Sequence, residues 1–294
     1  MGGLAAVCAA QVAAAQAGTA QEVANPPEPA ASAETISEIV VEQERIADLR
    51  AAVALARTVA GRAASRDPLP RFNAPLCMSL AIDDPERGRL IGQRIIANAR
   101  AAGVRIAKPG CRPNALVLIR PDVKQWIIDY RASGRRFIGR LKRHQVDRVL
   151  RSRDPVYVFG DIEVISSNPR GRLDRTTYKN IRAAAVMVDA GASADFTPVQ
   201  LADYITMRLL GPTREMEEIA TGAPRTILAL YRPAGRLQAE MSRFDRTWLA
   251  TLYRLRANAN AMEVVMTTAR TLAQGGAAPD TPLDAPPEAP LEAP

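Results

Sequence analysis

A single histidine, His144, and three cysteines, Cys8, Cys77 and Cys111, supply all the imidazole and thiol chemistry of this 294-residue chain. A structural zinc site takes four Cys or His ligands and a catalytic one typically three side chains. Neither can be assembled here in the usual way. A serine or cysteine nucleophile needs a base, most often His. The nearest approach to a nucleophile elbow, Gly191-Ala-Ser193-Ala-Asp195, lacks its second glycine. His144 lies in the run GRRFIGRLKRHQVDR, whose cations disfavour a protonated ring and point to a surface or capping role. The same run holds Gly134-x4-Gly139-Arg140-Leu141, with Arg where a phosphate loop needs Lys and Leu where it needs a Mg-binding hydroxyl. Asp161, Glu163, Asp189, Asp195 and Asp203 fall near strand ends, so a paired-carboxylate hydrolase stays open, with no pair singled out by spacing. The expectation is of no catalytic residue, no metal site and no cofactor.

What the chain has in quantity is arginine. Four of the 39 basic residues are lysine, and the net charge of +8 conceals a strong segregation. Residues 1–44 carry six acidic side chains and no basic one, and the last twenty residues carry four acids and no base. Residues 45–274 therefore hold all 39 bases against 21 of the 31 acids. A field of that sign attracts anions and raises their encounter rate at low salt. The densest stretch, 131–153, has nine bases and one acid, Asp147. Within it Arg135, Arg136, Arg140, Lys142 and Arg143 form the candidate anion-binding set. Arg170, Arg172, Arg175, Lys179 and Arg182 follow as a second cluster. The partner implied is an anionic surface or an acidic protein, with nucleic acid kept open. The plainer reading is a solvated face whose bases pair with distant acids. Base-stacking aromatics are sparse in this region, which argues against specific single-strand recognition.

Several elements position these residues. Ile46 to Val59 has helical spacing, and SRDPLPRFNAP breaks it with three prolines. Cys77–Ile82 reads as a strand, and Asp84-Pro85 opens a helix to about Ala102 that Gly103 stops. Val104–Ala107 and Ala115–Ile119 are short runs of strand type. Val123–Tyr130 and Val146–Leu150 look helical, Val156–Ile165 is a long strand, and Ala183–Val188 is a buried one. Thr197, Pro198 and Gln200 set a capping box for a helix over 198–210, ended by Gly211-Pro212. Ser242 and Asp245 cap another, and a last helix runs from Ala261 to Leu272. Strands interleaved with helices predict an α+β domain, one mixed sheet packed by helices, over 69–274. A signal-like leader (1–20), a linker with a short helix and a possible strand at Ile36–Val41 (21–68), and a disordered acidic Pro-rich tail (275–294) complete the division.

The leader has small-x-small cleavage points near Ala15 and Ala20 but no basic n-region. Either the start lies inside a longer signal peptide, or this is an Ala-rich disordered lead. No run approaches the ~18–20 apolar residues of a spanning helix. If the leader is removed with Cys8, Cys77 at a strand start and Cys111 in a Pro-Gly-Cys-Arg-Pro turn remain as an even pair. Flanking one helix, they fit a disulfide in an exported, periplasmic or secreted protein. Two buried thiols in a cytosolic protein are the alternative.

In the C-terminal third of the chain, the order Leu201-Ala-Asp-Tyr204-Ile-Thr-Met-Arg208-Leu-Leu-Gly211, Ile227-Leu-Ala-Leu-Tyr231, then Ser242-x-x-Asp245-x-x-Trp248-Leu249-x-x-Leu252-Tyr253 resembles metzincin-type zinc proteases. The resemblance places Tyr204 and Arg208 at zinc-ligand positions and Ile205 at the general base, so it implies an inactive relative of that fold. The Leu-Cys…Pro-Gly-Cys and Leu-Ala-Asp-Tyr…Met patterns also resemble exported Gram-negative bacterial proteins. The functional expectation is a non-catalytic envelope protein that binds an anionic component or partner. Its rivals are a carboxylate hydrolase on a degenerate protease-like fold and a cytosolic nucleic-acid-binding protein.

Overall fold

The computed structural model of the chain describes residues 49–61, 66–133, 143–151, 155–166, 177–211, 213, 225–232 and 238–274. The leader, the possible strand at 36–41 and the acidic tail lie outside the described residues. Four strands form one mixed sheet: β1 (Met78–Ile82), β2 (Ala115–Arg120), β3 (Val156–Ser166) and β4 (Thr177–Asp189). Their order is β1-β2-β4-β3, with β1, β2 and β4 parallel and β3 antiparallel along the edge of β4. The expected α+β architecture with a mixed, helix-packed sheet is what the chain adopts.

The helices are α1 (Leu49–Ala60), α2 (Pro85–Ala102), α3 (Val123–Ala132), α4 (Arg143–Arg151), α5 (Pro198–Leu210), α6 (Arg243–Arg254) and α7 (Ala261–Ala273). Because side chains alternate across a strand, each face of the sheet buries its own set. Ala115, Val117, Ile119, Ala184, Val186 and Val188 meet the large core built with α1, α2, α5, α6 and α7. Leu118, Ala185 and Met187 face the other way, onto Val123 and Ile127 of α3 and Val146 of α4. Helix α1 shares the large core through Leu55 and Val59, so the packed body begins upstream of the proline-rich break.

Two expectations change in extent. Val104–Ala107 makes one isolated bridge, Leu76 with Ile106, in place of a strand. Strand β4 begins at Thr177, six residues before its apolar run, because 177–181 pair with 162–166 of β3 beyond a register shift at Asp161/Ile162, with Arg182 as the extra residue.

The ends of the helices follow their sequence signals. Thr197 Oγ1 accepts from the Gln200 N–H while Gln200 Oε1 accepts from the Thr197 N–H. Ser242 and Asp245 form the same reciprocal box at α6. Each such cap contributes about 1 kcal/mol. Helix α2 stops at Gly103, whose φ of 92° lies in the left-handed region that glycine occupies without a Cβ penalty. Its N–H closes onto the Ala99 and Arg100 carbonyls, and the chain turns there toward Arg105.

Cys77 and Cys111 are joined by a disulfide, with their Cα atoms 6.1 Å apart. Among the described residues, no helix is long and apolar enough to cross a membrane.

Candidate anion-binding cleft

Of the positions singled out in the C-terminal third, Tyr204 and Ile205 sit in the core and Arg208 is partly buried beside it. Tyr204 and Ile205 are fully buried on α5. The Tyr204 ring meets Tyr231 edge-on at 5.1 Å, and Tyr231 meets Phe196 in the same way at 5.0 Å. The Arg208 guanidinium stands 5.9 Å from the Tyr204 ring centroid, with Nε and Nη1 shielded from solvent and without an acceptor. These two donors lie on opposite edges of the guanidinium, so a single carboxylate cannot satisfy both.

Three of the five candidate carboxylates have structural duties, and Asp203 lies within α5 rather than near a strand end. Asp203 is buried and bonded through both oxygens to Arg94, Nε at 2.8 Å and Nη2 at 3.0 Å. It also accepts from Asn98 Nδ2 at 2.7 Å and from the Met241 N–H at 2.6 Å. This network ties α2 and α5 to the approach to α6. Asp161 accepts from Arg182, and Asp189 accepts from the Ala192 N–H. Asp195 and Glu163 are exposed. Asp245, outside that group, is also buried, and accepts from Thr226 Oγ1, the Ile227 N–H and the Ser242 N–H at 2.6, 2.8 and 3.0 Å. Burial pushes its carboxyl up to about 6 against the pull of those donors.

Of the arginine-rich set, Arg143 is described; Arg135, Arg136, Arg140 and Lys142 lie outside the described residues. Arg143 is exposed and shares Asp147 with Arg131, at 3.9 and 3.5 Å. His144 is exposed on the same helix. In the second cluster Lys179 pairs with Asp67 at 3.1 Å and Arg182 with Asp161 at 3.0 Å, while Arg170, Arg172 and Arg175 lie outside the described residues. Surface pairs of this kind stabilise by roughly 0–1 kcal/mol.

A different group of cations meets no acid among the described residues. A cleft of about 280 Å³ is lined by Arg71, Phe72, Asn73, Ala74, Gly103, Val104, Arg105 and Tyr253. Arg71 directs Nη1 to the carbonyls of Leu252 and Leu255, at 2.6 and 2.7 Å, where α6 ends. Its Nε donates to Asn73 Oδ1 at 3.2 Å. Arg105 Nη2 donates to the Asn73 carbonyl at 2.7 Å. Two guanidinium groups thus hang on one residue, and every acceptor they meet among the described residues is neutral. Burial lowers the proton affinity of the half-buried Arg71, so its charge sits where water compensates it incompletely.

The walls of the cleft are rigidly tied. The Tyr253 hydroxyl accepts from the Phe72 N–H at 3.2 Å and donates to the Leu210 carbonyl at 2.6 Å, and burial pushes its proton affinity up. Leu76 N–H donates to the Arg105 carbonyl and Ala107 N–H to that of Leu76, both within 2.9 Å. The Cys77–Cys111 bond closes the same two walls a step further on. Cys77 N–H also donates to Asn114 Oδ1 at 2.8 Å.

Sequence reasoning missed this cleft, although a signal was present. Residues 87–121 contain eight bases and no acid. Arg89, Arg94 and Arg120 find carboxylates elsewhere. Arg87 donates to the Ser193 and Phe196 carbonyls, and Arg105 to that of Asn73. An acid-free stretch of that length marks a positive surface as clearly as the denser 131–153 run.

No protein-family profile matches the chain, and neither a curated protein nor a solved structure is similar to it.

Proposed function

We propose that this chain is a non-catalytic, exported binding protein for an anionic component or partner of the bacterial envelope. The observation that carries the reading is the cleft in which Arg71 and Arg105 converge on Asn73 with no carboxylate among the described residues to answer them. Uncompensated charge held by a fixed framework costs folding free energy, and a bound anion recovers it. The basic balance of residues 45–274 adds long-range attraction, with Arg135, Arg136, Arg140, Lys142 and Arg143 as its densest contribution. The disulfide and the small-residue leader support an oxidising compartment, periplasmic or extracellular.

Retention of the full chain on a phosphate-bearing matrix at low salt tests this reading. The native chain is expected to bind and to elute with rising salt. The variant with Arg135, Arg136, Arg140 and Arg143 changed to Ala should elute earlier. Failure of the native chain to bind, or a cationic matrix holding it better, refutes anion binding. Export has its own test: a mature N-terminus beginning beyond Ala15 or Ala20 supports it, and an intact leader with two titratable thiols at Cys77 and Cys111 refutes it.

A further inference from the structure

We infer that the Arg71–Arg105 cleft takes one phosphoryl group, a single tetrahedral dianion, at a time. The inference rests on the anion-binding reading above and gives it a ligand class. It starts from which N–H groups are left over. A carboxylate is gripped by a guanidinium through two parallel N–H donors, from Nε with Nη2 or from Nη1 with Nη2. Arg71 has given Nε to Asn73 Oδ1 and Nη1 to two carbonyls, so each of its forks has lost one prong. Nη2 keeps its donors, with no acceptor among the described residues. Arg105 has committed one bond from Nη2 and retains Nε and Nη1. The remaining donors therefore come from two guanidinium groups, one of which cannot hold a carboxylate in its usual planar grip.

A phosphoryl group suits this set on shape and charge. Its three terminal oxygens point in different directions and accept from separate groups, and its charge near −2 at neutral pH matches two guanidinium cations. A carboxylate, at −1, leaves one cation unanswered. Size sets the other limit. The cleft of about 280 Å³ falls just below the range of sites that enclose a drug-sized molecule. The aromatic residues of its wall are also spoken for: Phe72 is buried, and the Tyr253 hydroxyl has both its bonds inside the protein. A phosphomonoester end fits, with room beside it for part of the molecule that carries it.

Isothermal calorimetry of the full chain with inorganic phosphate tests the inference, with acetate as the planar comparison. Arg71→Ala is a poor probe because it also uncaps α6, so Arg105→Ala and Arg105→Glu carry the test. Arg105 is exposed, and melting of the unliganded variants should match the native chain. Phosphate is expected at one site per chain, weakened at least about tenfold in Arg105→Ala and abolished in Arg105→Glu. Acetate should bind more weakly than phosphate. Equal affinity for acetate, or phosphate binding indifferent to Arg105, overturns the inference. Vesicles of phosphatidylcholine with and without phosphatidic acid separate the sources: capture by phosphatidic acid, displaced by phosphate, assigns a lipid headgroup. Phosphate binding without vesicle capture assigns a soluble phosphate or phosphomonoester. Retention on the anionic matrix without phosphate binding overturns this inference alone, whereas loss of both removes the function reading as well.

Discussion

The two polar regions of this molecule handle charge in opposite ways. Around α5 and α6 the two buried acids are answered: Asp203 receives Arg94, Asn98 and the Met241 amide, while Asp245 receives a hydroxyl and two amides. Where α2 and α6 end, the charges that matter are cations, and their acceptors are neutral carbonyls and one amide oxygen. A buried acid with all its lone pairs occupied holds elements together and is left with little capacity for chemistry. A pair of cations with donors to spare holds a place for something else. The contrast separates scaffold from site without any catalytic constellation.

Perturbing the acids should cost stability, and Asp203 should cost most. Changing Asp203 to Ala leaves the partly buried Arg94 with the exposed Glu240 as its one carboxylate among the described residues and takes the acceptor from Asn98 and the Met241 N–H; removal of one partner from a buried pair typically costs about 3–5 kcal/mol. Denaturant unfolding would show it; a loss near zero would mean that the network carries little. Removing the disulfide comes next. With 34 residues of separation, Cys77→Ser with Cys111→Ser should destabilise by about 3–4 kcal/mol on the chain-entropy account. The same variant should loosen the walls of the cleft, so its phosphate affinity should fall too.

Asp245 predicts a pH signature of the same order or smaller. Its folded value of about 6 lies above the ordinary carboxylate value, so the native state holds a proton that the unfolded chain has released between pH ~4 and 6. The stabilisation linked to that proton is fully present below about pH 4 and is lost as pH rises through 6. Its size is on the order of 3 kcal/mol for about two pH units of displacement. Asp245→Asn cannot lose that proton and should flatten the dependence, at a roughly 1–3 kcal/mol cost from one mismatched donor. A native profile that rises between pH 4 and 6 while the variant stays flat would show that the donors outweigh burial. Smallest of all is Arg105→Ala, which should change unfolding free energy by less than about 0.5 kcal/mol, as befits an exposed side chain away from caps and core. A larger loss would turn the cleft into scaffold.

The scaffold was the more legible of the two regions. Capping boxes at Thr197 and Ser242 are local signals, complete within four residues, and the helix that Thr197 starts runs to its expected end at Leu210. The disulfide could be read from a strand-start cysteine and a turn cysteine on either side of one helix. Only the second half of β4 is legible, because Ala183–Val188 is apolar on both faces whereas Thr177–Asn180 are half-exposed and mostly polar, with Ile181 the first residue to reach the core. The cleft was not seen at all. Arg71 lies in a proline-rich break with no periodic pattern, and the carbonyls that orient it, at Leu252 and Leu255, stand more than 180 residues away in the chain. Arg105 is one base among eight, and its selection by Asn73 is visible only in three dimensions. The density of the 131–153 run is a local property of the sequence; compensation of its charge is not.

Both regions can be watched together in one titration, following arginine side-chain Nε–H resonances by NMR while inorganic phosphate is added to the labelled full chain. Saturable shifts at Arg105 and Arg71, with Arg94 unmoved against Asp203, are the predicted result. Phosphate that moves Arg94 as readily as Arg105, or leaves both cleft arginines where they were, would contradict the account.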